Sequence, residues 1–310
     1  MEHGIATDYR CARQNVSYDS GGYLELINQH KIWSFHGDSP WAEVVRGQDF
    51  RKAEAHGVVS YFDLATKVAE LQFRNSNHIL LFRGQSCDYR NKNNYTSLKP
   101  SLLRGNDGKN PGISELQRRF AVLEKAERIL IEECESARLL GVNKVQRLRI
   151  VRWSILQHYE VCGTPLLDVT HSLRVAASFA SHGAGDEAYV FVLGVPNLGG
   201  GITASAEAGL QAVRLSSICP PSAVRPHIQE GYLLGEYPDM SDFSQKSQYL
   251  HYETDFGRRL IAKFKFNPEV FWRDNGFPIV GKDALYPEER NDPLLALALR
   301  VKKRILEREV

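Results

Sequence analysis

The spacing of apolar residues predicts several helices and strands along the chain. Apolar residues recur every three or four positions in five segments, which predicts helices there. Short apolar runs bounded by turn-forming residues are typical of strands. The predicted helices cover residues 60–74, 114–140, 145–159, 173–180 and 293–310. The predicted strands cover residues 79–82, 188–195, 211–215 and 259–266, residues 166–167 are predicted to be a short buried element, and residues 225–234 are predicted to lead into a further strand.

Two regions depart from these simple patterns. In residues 259–266 apolar and basic residues alternate, which predicts a half-exposed strand. Residues 1–57 have no clear period, but Trp33 and Trp41 predict that they pack on the main body, with a short strand over 27–35. No linker divides residues 58–310, so we treat them as one domain behind an N-terminal extension. The order of elements is typical of an α+β fold with a mixed or antiparallel sheet.

Composition narrows the class of protein. The chain has 310 residues, 43% apolar and 25% charged, with a net charge of +2, so any basic surface must be local. Five dispersed cysteines without a C-x-x-C pair favour reduced thiols in the cytoplasm. No apolar run approaches the roughly 18 residues of a membrane span, and no signal sequence is evident. We therefore expect a cytoplasmic protein without a membrane partner.

Three polar segments each adjoin a predicted buried element. They are Arg83-Gly84-Gln85, residues 168–172 and Gln229-Glu230-Gly231. The arginine fork suits phosphate or carboxylate, and hydroxyls ahead of a helix favour an anion. A carboxylate or amide can bond sugar hydroxyls and stabilise a cationic transition state. Together they predict a site for a phosphorylated sugar; the alternative is that Arg83 pairs with a buried acid.

Other chemistries have weaker support. His158, Cys162 and Asp168 are close in sequence but lack a familiar metal-ligand spacing. Cys162 with His158 or His171 could act as a nucleophile, although single cysteines are more often buried and inert. A nuclease would need an acidic metal cluster, which is not evident.

Two local basic segments suggest contact with a phosphate backbone. One is the predicted helix over 145–159, with Arg147, Arg149 and Arg152, and the other is the loop holding Lys99 and Arg104. The alternative is that the basic helix face is simply solvated. The basic C-terminal helix favours a docked terminal helix over polyanion contact.

Several motifs resemble the FRG domain family. Phe82-Arg83-Gly84-Gln85 resembles the motif that names the family, and residues 157–170 resemble its central block. Residues 175–180 resemble the helix that follows, residues 225–232 the third block, and residues 277–287 the C-terminal end. The resemblance covers roughly residues 60–300.

The FRG domain looks like a divergent ADP-ribosyltransferase fold, which implies an α+β domain with a split mixed or antiparallel sheet, flanking helices and NAD as a substrate. The resemblance implies a catalytic set of Arg83, Gln229 and Glu230, with Arg83 at the nicotinamide ribose or a phosphate. The residues implied to contact NAD are Phe82, Gly84, Gln85, His158, Asp168, Thr170, Ser172 and Phe179. No metal is implied.

The acidic position of the family falls at Gln229 or Glu230. Because side chains alternate along a strand, only one of the two can point inward. If Gln229 points inward, the carboxylate must come from elsewhere, with Asp168 and Glu236 as candidates.

The resemblance implies an NAD-dependent ADP-ribosyltransferase acting on nucleic acid or protein, in the manner of a toxin or phage-defence effector with an antitoxin or regulator as partner. The basic segments favour RNA or DNA over protein as the acceptor. The alternative is a catalytically weak sensor module for NAD or an ADP-ribose-type nucleotide, favoured if no carboxylate faces the site.

Overall fold

An eight-stranded mixed sheet organises the chain in this computed structural model, which describes residues 31–105, 110–197, 199–220, 222–249, 254–273 and 276–307. A separate antiparallel hairpin contains β1 (Lys31–Ser34) and β2 (Glu43–Arg46). The sheet contains β3 (His56–Gly57), β4 (Ile79–Gln85), β5 (Leu167–Thr170), β6 (Ala188–Val195), β7 (Ile202–Ser205), β8 (Leu210–Arg214), β9 (Gly231–Glu236) and β10 (Leu260–Phe266). The strand order is β3-β10-β6-β4-β5-β9-β8-β7; β3 is parallel to β10, and the other neighbours are antiparallel.

Helices cover both faces of this sheet. They are α1 (Gly47–Lys52), α2 (Tyr61–Arg74), α3 (Ile113–Ser136), α4 (Val142–Arg147), α5 (Arg149–His158), α6 (Leu173–His182), α7 (Leu215–Ile218), α8 (Val224–Ile228), α9 (Phe243–Gln248), α10 (Pro268–Phe271), α11 (Lys282–Leu285) and α12 (Pro293–Glu307). One apolar core joins α2 and α6 to β4, β6 and β10, and a second joins α3, α5 and α12 to β8 and β9. The predicted α+β class with a mixed sheet and flanking helices is confirmed.

The backbone pairing between neighbouring strands is shortest where β4 meets β5. Strand β4 pairs with β6 over its full length from Ile79 to Gln85, but it pairs with β5 only at Phe82 and Thr170. Beyond that pair, the side chain of Arg83 replaces the backbone hydrogen bonds between the strands. Its Nη1 donates to the carbonyl of Asp168 at 2.5 Å. The junction therefore opens a gap in the sheet beside Arg83.

The predicted helix over 145–159 is two helices. Leu148 adopts an extended conformation that separates α4 from α5. The guanidinium of Arg152 donates to the carbonyls of Val145 and Gln146 at 2.9 and 3.0 Å. These bonds satisfy carbonyls that the break leaves without helical partners. A tertiary contact therefore stabilises a break that the apolar period does not reveal.

Strand β10 is buried, so the prediction of a half-exposed strand was wrong. Lys263 is fully buried, and its Nζ donates to Thr96 Oγ1 at 2.8 Å and to Asp88 at 3.2 Å. The segment after β4 covers this face and supplies both acceptors. A lysine with its own acceptors can stay inside, which the alternation of residue types cannot show.

The third polar segment is not wholly a strand. Within the segment predicted to lead into a strand, residues 224–228 form α8, and β9 begins at Gly231. Pro226 lies in the first turn of α8, where its missing N–H is tolerated, whereas a strand ladder would need that donor. Gln229 and Glu230 therefore lie in the turn before β9.

The described part of the N-terminal region packs on the sheet. β1 matches the predicted strand over 27–35 at Lys31–Ser34, and residues 27–30 lie outside the described residues. Trp33 packs partly buried against the core, but Trp41 is 70% exposed, contrary to prediction.

The basic helices are largely committed to acidic partners. Arg149 and Arg152 both bind Glu127, at 3.3 and 2.8 Å, and Arg300 and Arg304 of α12 bind Glu133 at 2.9 Å. The prediction of a docked terminal helix agrees with the contact between α12 and Glu133. The pairing of Arg149 and Arg152 with Glu127 weakens the prediction that they contact nucleic acid. Across the described ranges, no helix combines the length and apolarity that crossing a bilayer requires.

Candidate functional site

A cavity of about 430 Å³ opens at the junction of β4 and β5. Its wall combines residues from both strands, the loop before α3, the end of α5, the turn before β9 and the segment after α11. Its lining comprises Phe82, Arg83, Gly84, Ser101, Arg104, Gln157, His158, Glu160, Asp168, Val169, Thr170, Phe179, Arg225, Gln229, Gly231 and Tyr286. We call this space the first cavity.

Gly84 sets the position of β4 against α6. A Cβ atom at Gly84 would lie 1.8 Å from the carbonyl oxygen of Ala176 and 2.8 Å from the backbone nitrogen of Ala180. Only glycine allows this approach of strand to helix. Because neighbouring side chains alternate along a strand, Arg83 projects away from α6. The glycine thus fixes both the packing and the direction of the arginine.

Arg83 is a half-buried cation whose guanidinium has unused hydrogen-bonding capacity. Its Nη1 binds the Asp168 carbonyl, but its Nε is buried without a partner among the described residues. Burial, reinforced by the nearby charge of Arg104, lowers the pKa of Arg83 to about 10. A buried donor without an acceptor is costly, so an anion in the first cavity would relieve that cost.

A hydrogen-bond network fixes the side chain of Asp168. Gln157 Nε2 donates to Asp168 Oδ2 at 2.7 Å, while Gln157 Oε1 accepts from the hydroxyls of Ser101 and Thr164 at 2.8 Å. Both hydroxyls hold the amide in one orientation, with its donor toward Asp168. Burial opposes ionisation of Asp168, but His158, Arg83 and Gln157 together lower its pKa. The first cavity therefore contains an oriented, ionised carboxylate.

His158 completes this buried group. Its Nδ1 lies 3.8 Å from Asp168 Oδ1, and its Nε2 is buried without a partner in the described ranges. Burial lowers the pKa of His158, against the opposing influence of Asp168. The ring is therefore neutral near pH 7, and one of its nitrogens has no partner among the described residues.

The opposite wall is aromatic and basic. Arg225 is buried, donates to Glu160 at 2.8 Å and lies 4.7 Å from the centroid of the Tyr286 ring. Tyr286 in turn meets Phe179 edge to face, with ring centroids 5.7 Å apart. Arg225 Nε is buried without a partner among the residues that the structure describes. This wall can pack against a flat ring beside an anion.

The charges around the first cavity favour an anionic ligand. Arg83, Arg104 and Arg225 line it against the carboxylates of Glu160 and Asp168. Arg83, His158 and Arg225 line this cavity, and each has a buried nitrogen without a partner among the described residues. The chemistry of this wall suits a phosphorylated sugar with an attached ring.

The first cavity brings together most of the residues predicted for the site. Phe82, Arg83, Gly84, His158, Asp168, Thr170, Phe179 and Gln229 all line it. The hydroxyl of Thr170 donates to the Gln229 carbonyl at 2.7 Å and accepts from the Ser172 backbone at 3.0 Å, so it ties β5 to the turn before β9. Gln229 is buried, and its Nε2 donates to the Leu285 carbonyl at 2.7 Å.

Three predicted residues lie outside the first cavity. Glu230 is exposed, with a left-handed φ of 45° in the turn. Ser172 precedes α6 but makes no side-chain cap. Gln85 lines a neighbouring cavity instead. The inward residue of the Gln229-Glu230 pair is therefore the amide.

Several lining residues were not predicted for the site. Gln157, Arg225 and Tyr286 belong to motif blocks, so the resemblance contained a signal for them. Glu160 lies within the first of these blocks, and Ser101 and Arg104 come from the basic loop before α3. A loop residue reaches the cavity only through tertiary structure, so its sequence carries little signal.

Metal and thiol chemistry gain no support here. Within the described ranges, no group of His, Cys, Asp and Glu side chains is arranged to hold a metal ion. Burial raises the pKa of the Cys162 thiol to about 12, which leaves little thiolate at neutral pH.

The buried His158 should make stability depend on pH. The unfolded chain takes up a proton below its usual pKa of about 6.5, while the native ring resists it, so acidification should cost up to ~1.4 kcal/mol per pH unit until the lowered pKa is reached. In His158→Gln this part of the slope should vanish. Urea denaturation between about pH 8 and about pH 5 measures both slopes; identical slopes would contradict the assignment.

One comparison identifies part of the chain. The FRG domain family model matches residues 78–188, from the residue before β4 to the start of β6. The matched segment contains Arg83, His158 and Asp168 of the first cavity, and the match supports the assignment of this segment to the FRG domain family. No curated protein matches the chain, and no solved structure does.

Proposed function

We propose that this chain, whose residues 78–188 match the FRG domain, binds NAD in the first cavity and transfers its ADP-ribose to a macromolecular acceptor. The observation that carries the proposal is the set of unused buried nitrogens on Arg83, His158 and Arg225 around an ionised Asp168. Phosphate and ribose oxygens of NAD can satisfy the nitrogens. The Phe179 and Tyr286 rings can pack against nicotinamide.

The chemistry separates ribose from nicotinamide. The bond between ribose C1′ and the ring nitrogen breaks, and its electron pair stays on nicotinamide, which leaves neutral. A nucleophile of the acceptor then bonds to C1′ and gives up its proton. Positive charge develops on the ribose as the first bond breaks, so a fixed negative charge nearby lowers the barrier.

Asp168 is the carboxylate that we assign to this task. Gln229 rather than Glu230 faces the first cavity, and Glu160 is engaged by Arg225 at 2.8 Å. Glu236, the other candidate, is buried in an ion pair with Arg258 at 2.7 Å and does not line the cavity. Asp168 alone among these acids is both in the cavity and held by an uncharged partner, Gln157.

For the acceptor we favour RNA or DNA, because basic side chains lie beside the first cavity. Arg149 and Arg152 are engaged by Glu127, whereas Lys99 and Arg104 lie beside the first cavity. These side chains can contact a phosphate backbone as it approaches the ribose. An effector role in bacterial conflict or phage defence remains part of the proposal.

A sensor that binds NAD or an ADP-ribose-type nucleotide without turnover is the second candidate. The observation that favours it is the inward amide of Gln229 at the position where the family resemblance implies an acid. An amide can bond a ribose hydroxyl but supplies no negative charge to the developing cation. Binding would then be retained and chemistry lost.

The test is release of labelled nicotinamide from NAD, with binding followed in parallel by calorimetry. We expect release by the wild type and unchanged release by Glu230→Gln, because Glu230 is exposed and outside the cavity. Binding without release with RNA, DNA and protein acceptors would favour the sensor. A large loss in Glu230→Gln would contradict the assignment of Asp168, and absence of binding would refute both candidates.

A further inference from the structure

A second cavity of about 670 Å³ adjoins the first. Arg104 lines both cavities, and Gln85 in the second lies two residues beyond Arg83 on the same face of β4. The loop between β4 and α3 forms the rest of its wall, with Tyr89 and Lys99. The two spaces therefore meet along one strand and share one arginine.

The wall of the second cavity has the groups that bind a nucleobase. Gln85 Oε1 is buried without a donor among the described residues. Tyr89 is 57% exposed, so its ring offers a free face on which a base can stack. Arg104 is held in place because its Nε donates to the Lys99 carbonyl at 2.8 Å. An amide acceptor, an aromatic face and a fixed cation match a base with an exocyclic amine and an attached phosphate.

The volumes of the two cavities also favour a dinucleotide that occupies both of them. At about 430 Å³ the first cavity lies in the lower part of the ~300–1,000 Å³ range of ligand sites, so it suits one nucleotide better than two. A dinucleotide would need further space on the far side of its phosphates. The second cavity provides that space on the far side of Arg104.

We propose that the second cavity binds the adenosine 5′-phosphate half of NAD, with the adenine amine at Gln85 Oε1, the base on Tyr89 and the pyrophosphate at Arg104. This inference rests on the proposed function, because the nicotinamide half then occupies the first cavity. In this proposal adenine is recognised by Gln85, at the end of β4, and by residues of the loop that follows, which were not predicted for the site.

Calorimetry with the full chain tests this division. The probes are AMP, nicotinamide mononucleotide and NAD. Tyr89→Ala should weaken AMP and NAD about tenfold, the usual effect of losing one stacked base, and leave nicotinamide mononucleotide unchanged. Phe73→Ala is the matched control, since Phe73 is an exposed aromatic residue, 78% accessible, that lines neither cavity.

Nicotinamide hypoxanthine dinucleotide tests the contact with Gln85, because it has a carbonyl oxygen where the adenine of NAD has its exocyclic amine. The wild type should bind it about tenfold more weakly than NAD, since a buried acceptor loses its donor. Gln85→Leu should bind the two dinucleotides equally.

One result would overturn the second site and keep the first cavity as the binding site. In that result, Tyr89→Ala and Gln85→Leu bind NAD as the wild type does, but Arg83→Ala does not bind it. AMP binding that Tyr89→Ala removes, in a protein that releases no nicotinamide, would keep the second site and refute ADP-ribose transfer. Failure of the wild type to bind AMP and NAD would overturn both.

Discussion

Gly84→Ala should destabilise the domain by about 3 kcal/mol or more, because overpacking at a tight contact forces the backbone to move. The added Cβ would lie 1.8 Å from the Ala176 carbonyl oxygen and 2.8 Å from the Ala180 nitrogen. Both are backbone atoms of α6, so no side-chain rotation can make room. Strand β4 cannot shift freely either, since it pairs with β6 from Ile79 to Gln85.

Urea denaturation of Gly84→Ala and Gly185→Ala measures this effect. Gly185 is the matched control, because a Cβ there meets nothing within 4 Å. We expect Gly185→Ala to stay close to the wild type, and Gly84→Ala to unfold at far lower urea or to be recovered unfolded. Equal midpoints for the two variants would show that β4 and α6 are not in this contact.

Arg83→Ala should lower NAD affinity by about a hundredfold, since charge-assisted hydrogen bonds are worth ~1.5–3 kcal/mol each. Its stability should nevertheless stay near or above that of the wild type. Burial lowers the pKa of Arg83 to about 10, so the fold disfavours this charge, and one carbonyl bond is its only described hydrogen bond. The residue is thus retained at a cost, as expected of a binding group.

Calorimetry for binding and urea denaturation for stability separate the two effects. Arg118→Ala on the surface of α3 is the control for loss of a positive charge, since Arg118 is largely exposed and pairs with Glu115. Arg83→Lys should recover only part of the affinity, because an ammonium lacks the planar fork. Full NAD affinity in Arg83→Ala would remove this residue from the site.

The sequence predicted the elements whose burial leaves a regular apolar pattern along the chain. Helix α2 (Tyr61–Arg74) matches the helix predicted over 60–74, and β6 has the predicted bounds. Both have an apolar pattern that follows directly from one-sided or complete burial. The α+β class followed from their order along the chain.

Other features depend on contacts that no local pattern contains. Lys263 looked exposed by its charge but is buried because Asp88 and Thr96, from a distant loop, accept its hydrogen bonds. The break at Leu148 depends on Arg152 reaching back to Val145 and Gln146. In both cases a tertiary partner decided the outcome.

The site residues that lie in the motif blocks could be predicted from the sequence. Arg83, His158 and Asp168 were selected from motif blocks and line one cavity. Arg104 and Glu160 were not selected, because their place depends on how a loop and a helix end fold over the sheet. The choice between Gln229 and Glu230 also required the structure, since both lie in a turn where strand alternation does not apply.

Nicotinamide release from NAD by the wild type and by Asp168→Asn tests the central claim most directly. Asparagine keeps the shape and an acceptor for Gln157 but removes the charge that stabilises the developing cation. We expect a loss of at least about a hundredfold in kcat, as for removal of one stabilising group at an active site, with NAD affinity changed only slightly. Equal release by the two proteins, or no release by the wild type with any acceptor, would contradict the account.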